Sequence, residues 1–233
     1  MRSNLNYYIS QADKFILFLV FFSLSIEAQD WANLQRYAAE NVKLISAPET
    51  AGRVVFMGNS ITESWPKFHP EYFSSKTYIP RGISGQTTPQ MLVRFRPDVL
   101  KLEPEIVVLL AGTNDIAGNT GPMTLEEILG NIISMCELAQ SNGIKVILAS
   151  VLPAYKYPWK PELNPAEEIF ALNQMLKLYA ISADIIYLDY FSAMVDQRKG
   201  LMDSLTYDGV HPNRAGYDVM ETLVERALIL AGQ

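Results

Sequence analysis

Hydrophobic positions along the chain fall into two rhythms that alternate. Short apolar runs occur at Val54–Met57, Tyr78–Ile79, Ile106–Ala111, Ile144–Val151 and Ile185–Leu188. Runs of this kind, rich in β-branched side chains and lacking regular polar alternation, suit strands covered on both faces, as in a parallel sheet. Between them the spacing turns helical. Trp31, Leu34, Tyr37, Ala38 and Val42 predict an N-terminal helix over Trp31–Leu44. A helix starting at Thr87 or Thr88, with Pro89 in its first turn, runs through Met91, Leu92 and Phe95. Thr124-Leu-Glu-Glu127 has capping-box spacing and opens a helix to about Gln140. Further helices are predicted from about Pro165 to Ile181, around Ser192 to Gln197, and from about Asn213 to Leu230. Trp65-Pro-Lys-Phe-His-Pro70 is read as too rich in proline for regular structure, and Leu152 to Pro165, with four prolines, as a long excursion. Strands alternating with helices predict an α/β fold with a parallel sheet and right-handed crossovers.

Where the strands stop matters most. Val54-Val-Phe-Met57 is followed by Gly58-Asn-Ser60. Glycine permits a sharp turn there, and serine favours the start of a helix. Ser60 would then stand at the C-terminal edge of the sheet, where open α/β folds place their ligands. An ordinary helix cap is the alternative at this stretch.

The 233 residues are 49% hydrophobic, which points to one domain with a substantial core. The first 28 residues differ from the rest. Lys14 precedes the apolar run Phe15–Ile26, and Glu27-Ala28-Gln29 follows. That run is short for a membrane span and reads as a secretory signal over residues 1–28, ahead of a catalytic domain over 29–233. An uncleaved anchor is the alternative. Export with no stable membrane insertion after signal removal is expected. The formal charge of −6, with no cluster of lysine and arginine, argues against a nucleic-acid partner. Cys136, the only cysteine, lies in a helical pattern and reads as a buried apolar side chain, so no intrachain disulfide is possible.

A serine becomes a nucleophile when a base takes its proton and a third group orients that base. The chain offers two histidines. His211 lies in Tyr207-Asp-Gly-Val-His211, three residues after Asp208, and that pair can bond locally while the second ring nitrogen faces Ser60. A turn leading into the last helix is the alternative. His69, between Phe68 and Pro70 with only Glu71 nearby, reads as a packing or surface histidine. Gly112-Thr-Asn-Asp115 leaves a strand end as Ser60 does, so Asn114 can aim an amide at a developing oxyanion, or simply form a turn. Gly82-Ile-Ser-Gly85 offers backbone N–H groups, for the same oxyanion or for a phosphate. Nucleotide-binding glycine motifs and metal-ligand spacings are absent, so no cofactor and no metal are expected.

Together these stretches resemble the SGNH, or GDSL-type, hydrolase family. Gly58-Asn-Ser-Ile61 is similar to its first block, Gly82–Gly85 to its second, Gly112-Thr-Asn114 to its third and Asp208-Gly-Val-His211 to its last, in the family's order. The resemblance implies a flavodoxin-like three-layer α/β/α sandwich with a five-stranded parallel sheet. It implies Ser60 as nucleophile with Asp208 and His211 completing a triad, and an oxyanion hole made by the Ser60 and Gly85 N–H groups and the Asn114 side chain. Asn59 and Ile61 depart from the Gly-Asp-Ser-Leu form of the first block, which leaves the bracing around Ser60 open. The overall look is nearest the small acetylhydrolase-like branch.

Aromatic residues near these stretches bear on substrate. Trp65 follows Ser60 by about a turn, and Tyr155, Tyr157 and Trp159 lie on the excursion from the fourth strand. They are expected to meet substrate, by stacking on a sugar or lining an acyl groove, or else to pack inward and hold the loop. The sequence therefore reads as a secreted serine esterase acting on a small-molecule or glycan ester, with acetyl groups on a carbohydrate foremost. A lysophospholipase or platelet-activating-factor-acetylhydrolase-like lipid acylhydrolase and, more distantly, a non-catalytic glycan binder on the same scaffold are the alternatives. Nothing in the sequence sets an oligomeric state.

Overall fold

Alternate residues along each central strand enter two different cores, and that division generates the layers. In the computed structural model, which describes residues 30–47 and 51–233, the sheet strands are β1 (Val54–Gly58), β2 (Tyr78–Gly82), β3 (Ile106–Leu109), β4 (Lys145–Ala149) and β5 (Ile186–Leu188). The helices are α1 (Ala38–Ser46), α2 (Ser60–Phe68), α3 (Pro70–Ser74), α4 (Thr88–Asp98), α5 (Thr113–Ile116), α6 (Leu125–Ser141), α7 (Ala166–Ser182), α8 (Tyr190–Met194) and α9 (Arg214–Leu230). Val55, Met57, Val107, Leu109, Val146 and Leu148 pack on one face against Met91 and Phe95 of α4, Ile128, Ile132 and Met135 of α6, and Leu172 and Leu176 of α7. Val54, Phe56, Ile106, Val108 and Ile147 pack on the other against Ile61 and Trp65 of α2, Tyr72 and Phe73 of α3, and Met220 and Val224 of α9. The period of two thus feeds both faces, as a doubly covered sheet requires.

All four strand pairings are parallel, in the order β2-β1-β3-β4-β5. This is the expected three-layer α/β/α sandwich with the flavodoxin-like strand order. The chain goes one way from β1 to β2 and the other way to β3, so a crevice opens beyond the C-terminal ends of β1 and β3. Gly58 is level with Gly82, and Met57 with Leu109. The stretches after β1, β2 and β3 therefore emerge side by side.

Two local expectations are corrected. Residues Trp65–Pro70 are helical: α2 runs through Pro66 to Phe68, and α3 begins at Pro70. Pro66 removes one N–H from the helix ladder, but the Asn59 cap, buried Trp65 and a His69 N–H to Trp65 carbonyl bond of 3.0 Å hold the turns on either side. Pro70 occupies a first-turn position, where its missing N–H costs nothing. The N-terminal helix starts at Ala38 rather than Trp31, and Asn33, at φ +56°, adopts a left-handed conformation incompatible with a continuous helix. From Ala32 onward the described chain is one compact unit. The predicted export segment, residues 1–28, lies outside the described residues. No helix among the described residues is long and apolar enough to cross a membrane.

Candidate active site

Ser60 is the first residue of α2, and its surroundings explain its position. The Asn59 side-chain oxygen accepts the Ile61 N–H at 3.0 Å and caps the helix. An amide oxygen accepts as a carboxylate oxygen does, so asparagine here keeps the brace. The turn rests on Gly82, where a Cβ would lie 2.1 Å from the Glu63 backbone nitrogen and 2.6 Å from the Asn59 carbonyl oxygen. Only glycine lets β2 end this close to the serine.

Ser60 Oγ lies 2.9 Å from His211 Nε2, although the two are 151 residues apart. His211 Nδ1 lies 2.7 Å from Asp208 Oδ2. The other carboxylate oxygen, Oδ1, accepts the N–H groups of Val210 at 2.9 Å and His211 at 2.8 Å. Burial pushes the Asp208 carboxyl up, but these N–H groups and the His211 ring outweigh it and hold the group below the usual carboxylate range. An anionic Asp208 calls for the proton on Nδ1, which presents the Nε2 lone pair to Ser60. Tyr207 stacks on the His211 ring at 5.8 Å and 11°, and Trp159 flanks it at 6.0 Å.

The loops after β2 and β3 complete the arrangement. Gly85 takes φ +77°, a conformation natural to glycine, and its N–H has no protein acceptor among the described residues. Glu63 holds the loop by accepting from both the N–H and the hydroxyl of Ser84, and Asn119 Nδ2 donates to the Gly85 carbonyl at 3.1 Å. Asn114 is buried at the start of α5, and its Nδ2 donates to the Gln86 carbonyl at 2.9 Å. That bond uses one of two amide hydrogens and leaves the other to give. Asp115 ties the two loops together, its Oδ1 accepting the Thr88 N–H at 2.8 Å and hydroxyl at 2.6 Å. Ser60, Ser84, Gly85, Asn114, Asn119, Trp159 and His211 line one cavity of about 330 Å³. A hydroxyl beside an imidazole, facing N–H donors across a small cavity, can attack a carbonyl carbon and hold the resulting oxyanion.

The expected aromatic contacts divide. Trp159 is 45% exposed and lines the cavity, stacked on Tyr157 at 5.0 Å. Tyr155 is 39% exposed and lines a neighbouring cavity of about 320 Å³ that also touches Asp208 and Gly209. Trp65 and Tyr157 are corrected: both are buried away from the cavity. Trp65 stacks on Tyr72 and donates its indole N–H to Glu221 at 3.0 Å, so it anchors α2. The Tyr157 hydroxyl bonds the Thr113 hydroxyl at 2.9 Å and donates to the Thr113 carbonyl at 3.0 Å, so it pins the turn that carries Asn114. Ser84, Asn119 and Tyr207 were not singled out from the sequence. Tyr207 adjoins Asp208 and Asn119 sits in a loop rich in glycine and asparagine, but neither pattern tells which way a side chain points.

Among the described residues, no three or more histidine, cysteine, aspartate or glutamate side chains gather as a metal site. Cys136 is buried, and burial pushes its thiol up to about 12.

Comparison with known proteins gives the family and the fold. The GDSL-like Lipase/Acylhydrolase family matches residues 56–219. The crystal structure of an acylhydrolase-type protein from Bacteroides fragilis NCTC 9343 is similar, with a TM-score of 0.85 and 51% identity, over 88% of this chain and 100% of that one. A multidomain esterase of Ruminococcus flavefaciens is 29% identical over 192 residues, 80% of this chain and 24% of that protein. An acetylxylan esterase of Xylanibacter ruminicola is 25% identical over 227 residues, 80% of this chain and 45% of that protein. The chain therefore spans less than half the length of either relative.

Proposed function

The chain belongs to the GDSL-like lipase/acylhydrolase family and is a carboxylic ester hydrolase, and from that premise we propose that Ser60, His211 and Asp208 form its catalytic triad and that it removes acetyl groups from a carbohydrate. The observation that carries the triad is the hydrogen-bond relay from Asp208 through His211 to Ser60, 2.7 Å and then 2.9 Å. His211 Nε2 takes the Ser60 proton as Oγ attacks the ester carbonyl. The tetrahedral oxyanion lies among the Ser60 and Gly85 N–H groups and the free Asn114 amide hydrogen. Collapse breaks the bond to the alkoxy oxygen, His211 returns its proton to that leaving alcohol, and the acyl group stays on Oγ. Water, deprotonated by His211, attacks the acyl carbonyl and releases the acid, and Ser60 recovers its proton. Asp208 remains an anion throughout and stabilises the imidazolium.

Three features favour a short acyl group on a sugar. The cavity, about 330 Å³, is at the small end of the roughly 300–1,000 Å³ typical of ligand pockets. Half-exposed Trp159 on its wall suits the apolar face of a sugar ring, and Tyr155 beside the adjoining cavity suits the next ring. The Xylanibacter ruminicola relative is an acetylxylan esterase by name. We propose export as well, from the signal-like pattern of residues 1–28, leaving the domain over 29–233.

Kinetics on aryl acetate, butyrate and octanoate, then on acetylated xylo-oligosaccharides beside lysophosphatidylcholine, test this reading. Turnover is expected to be fastest with acetate, with acetate released from the oligosaccharide and only background rates for Ser60→Ala. Faster fatty-acid release from the lysophospholipid would move the enzyme to the lipid acylhydrolases. A folded Ser60→Ala protein at full rate would remove the nucleophile assignment.

A further inference from the structure

Arg94, on α4, is fully buried and is not among the residues that line the cavity. Its guanidinium is nevertheless bonded to the segments that bear the site. Nη2 donates to the Gly58 and Arg81 carbonyls, both at 2.9 Å, and Nε donates to the Gln86 side-chain oxygen. Nη1 donates to Asp98 at 3.0 Å. Gly58 lies two residues before Ser60, Arg81 lies at the end of β2 ahead of the Gly85 loop, and Gln86 follows Gly85. The Gln86 backbone carbonyl is also the acceptor for Asn114. The far end of the Gln86 side chain donates to the Ala32 carbonyl at 2.7 Å, so Gln86 is held from both sides.

We propose that Arg94 is a positioning residue for ester hydrolysis, setting the spacing of Ser60, Gly85 and Asn114 through Gly58, Arg81 and Gln86. The proposal rests on the oxyanion assignment above. An ion pair with Asp98 alone would need only a point charge. Three uncharged oxygens, one at the end of β1 and two on the stretch from β2 through the Gly85 loop, need donors diverging in a fixed plane, which guanidinium supplies and ammonium does not. The three site groups come from separate strand ends, and an error of about 1 Å in such placement can cost on the order of 10²-fold in rate.

The test pairs Arg94→Lys with Asp98→Asn and measures kcat, KM and Tm on aryl acetate. Arg94→Lys keeps a charge for Asp98 but loses the fork, and its kcat is expected to fall roughly 10- to 10²-fold with KM little changed. Asp98→Asn leaves the three oxygen contacts in place, so it is expected to lower Tm while keeping kcat per folded molecule. In an Asn114→Ala background, Arg94→Lys is expected to cost much less than alone, because part of what it positions is gone. If Arg94→Lys fails to fold, Gln86→Met removes the Nε acceptor while keeping the backbone carbonyl, and it is expected to lower kcat without raising KM. Wild-type kcat in the folded Arg94 or Gln86 variant, or an equal kcat loss in Asp98→Asn, would overturn the proposal. With Ser60→Ala inactive, either result defeats only the positioning role. An active Ser60→Ala enzyme would instead defeat the mechanism beneath it.

Discussion

His211 meets the first residue of α2, and His69 caps its last turn, so this nine-residue helix has a histidine beside carboxylate at each end. The surroundings differ in kind. His69 Nδ1 lies 3.2 Å from Glu221 and 3.8 Å from Glu71, while Nε2 lies 3.4 Å from Asp218 and from the Arg214 carbonyl. Both its ring nitrogens face acceptors. His211 has one carboxylate on one nitrogen and a serine hydroxyl on the other. The carboxylates differ too. Burial pushes Glu221 up, and the Trp65 N–H and His69 only partly offset it. Asp208, also pushed by burial, is held down by two backbone N–H groups and its histidine. Negative charge near a histidine is thus not what distinguishes the Ser60 end. The difference is a carboxylate held anionic by the backbone, with the second ring nitrogen left for a hydroxyl.

The largest way to break this contrast is Asp208→Asn. An amide cannot hold the Nδ1 proton as an anion does, and by analogy with other serine hydrolases kcat is expected to drop by about 10⁴. A folded variant with undiminished kcat would erase the distinction between the two ends. Asn114→Ala comes next. Losing one oxyanion donor is expected to cost roughly 2.7–4 kcal/mol, about 10²–10³ in kcat, with KM nearly constant. A drop in Tm without a drop in kcat would make Asn114 a turn residue only.

The smallest effect is expected from Glu221→Gln, the counterpart of Asp208→Asn at the other end. Its kcat is expected to match wild type, since glutamine can still accept the Trp65 N–H. The stability change has a defined sign. The folded-state pKa of Glu221 is raised above 4.5, so ionising it weakens the fold as pH rises through the raised value. Glutamine removes that penalty. The variant is expected to melt above wild type at pH 7 to 8, with the gap closing as pH falls through the raised value. A gap that widened on acidification would contradict the opposed shifts.

What was legible in the sequence is what neighbouring residues decide among themselves. Apolar runs ending at Gly58 and Gly112 mark strands of a doubly covered sheet, because covering both faces removes polar alternation. Thr124 and Glu127 form a capping box within one turn, each bonding the other's N–H. Asp208 and His211 are three residues apart and meet within one loop. Side-chain direction at Trp65 and Tyr157 was not legible, since each is fixed by a distant partner: Glu221 for Trp65 and Thr113 for Tyr157.

By itself, then, the sequence determined the order of the strands and the longer helices, the turns that follow the strands, and the identity of a serine, a histidine and their local carboxylate. The tertiary structure alone decided that Ser60 and His211 face each other, that Trp159 lines the cavity while Trp65 does not, and that Arg94 joins the ends of β1 and β2 to the Gly85 loop. The physical reason is range. Strand and helix patterns, caps and tight turns come from groups a few residues apart, whose geometry the backbone already limits. A buried guanidinium finds Gly58, Arg81 and Gln86 only after the crossovers have brought β1, β2 and α4 together, and no local spacing records that meeting.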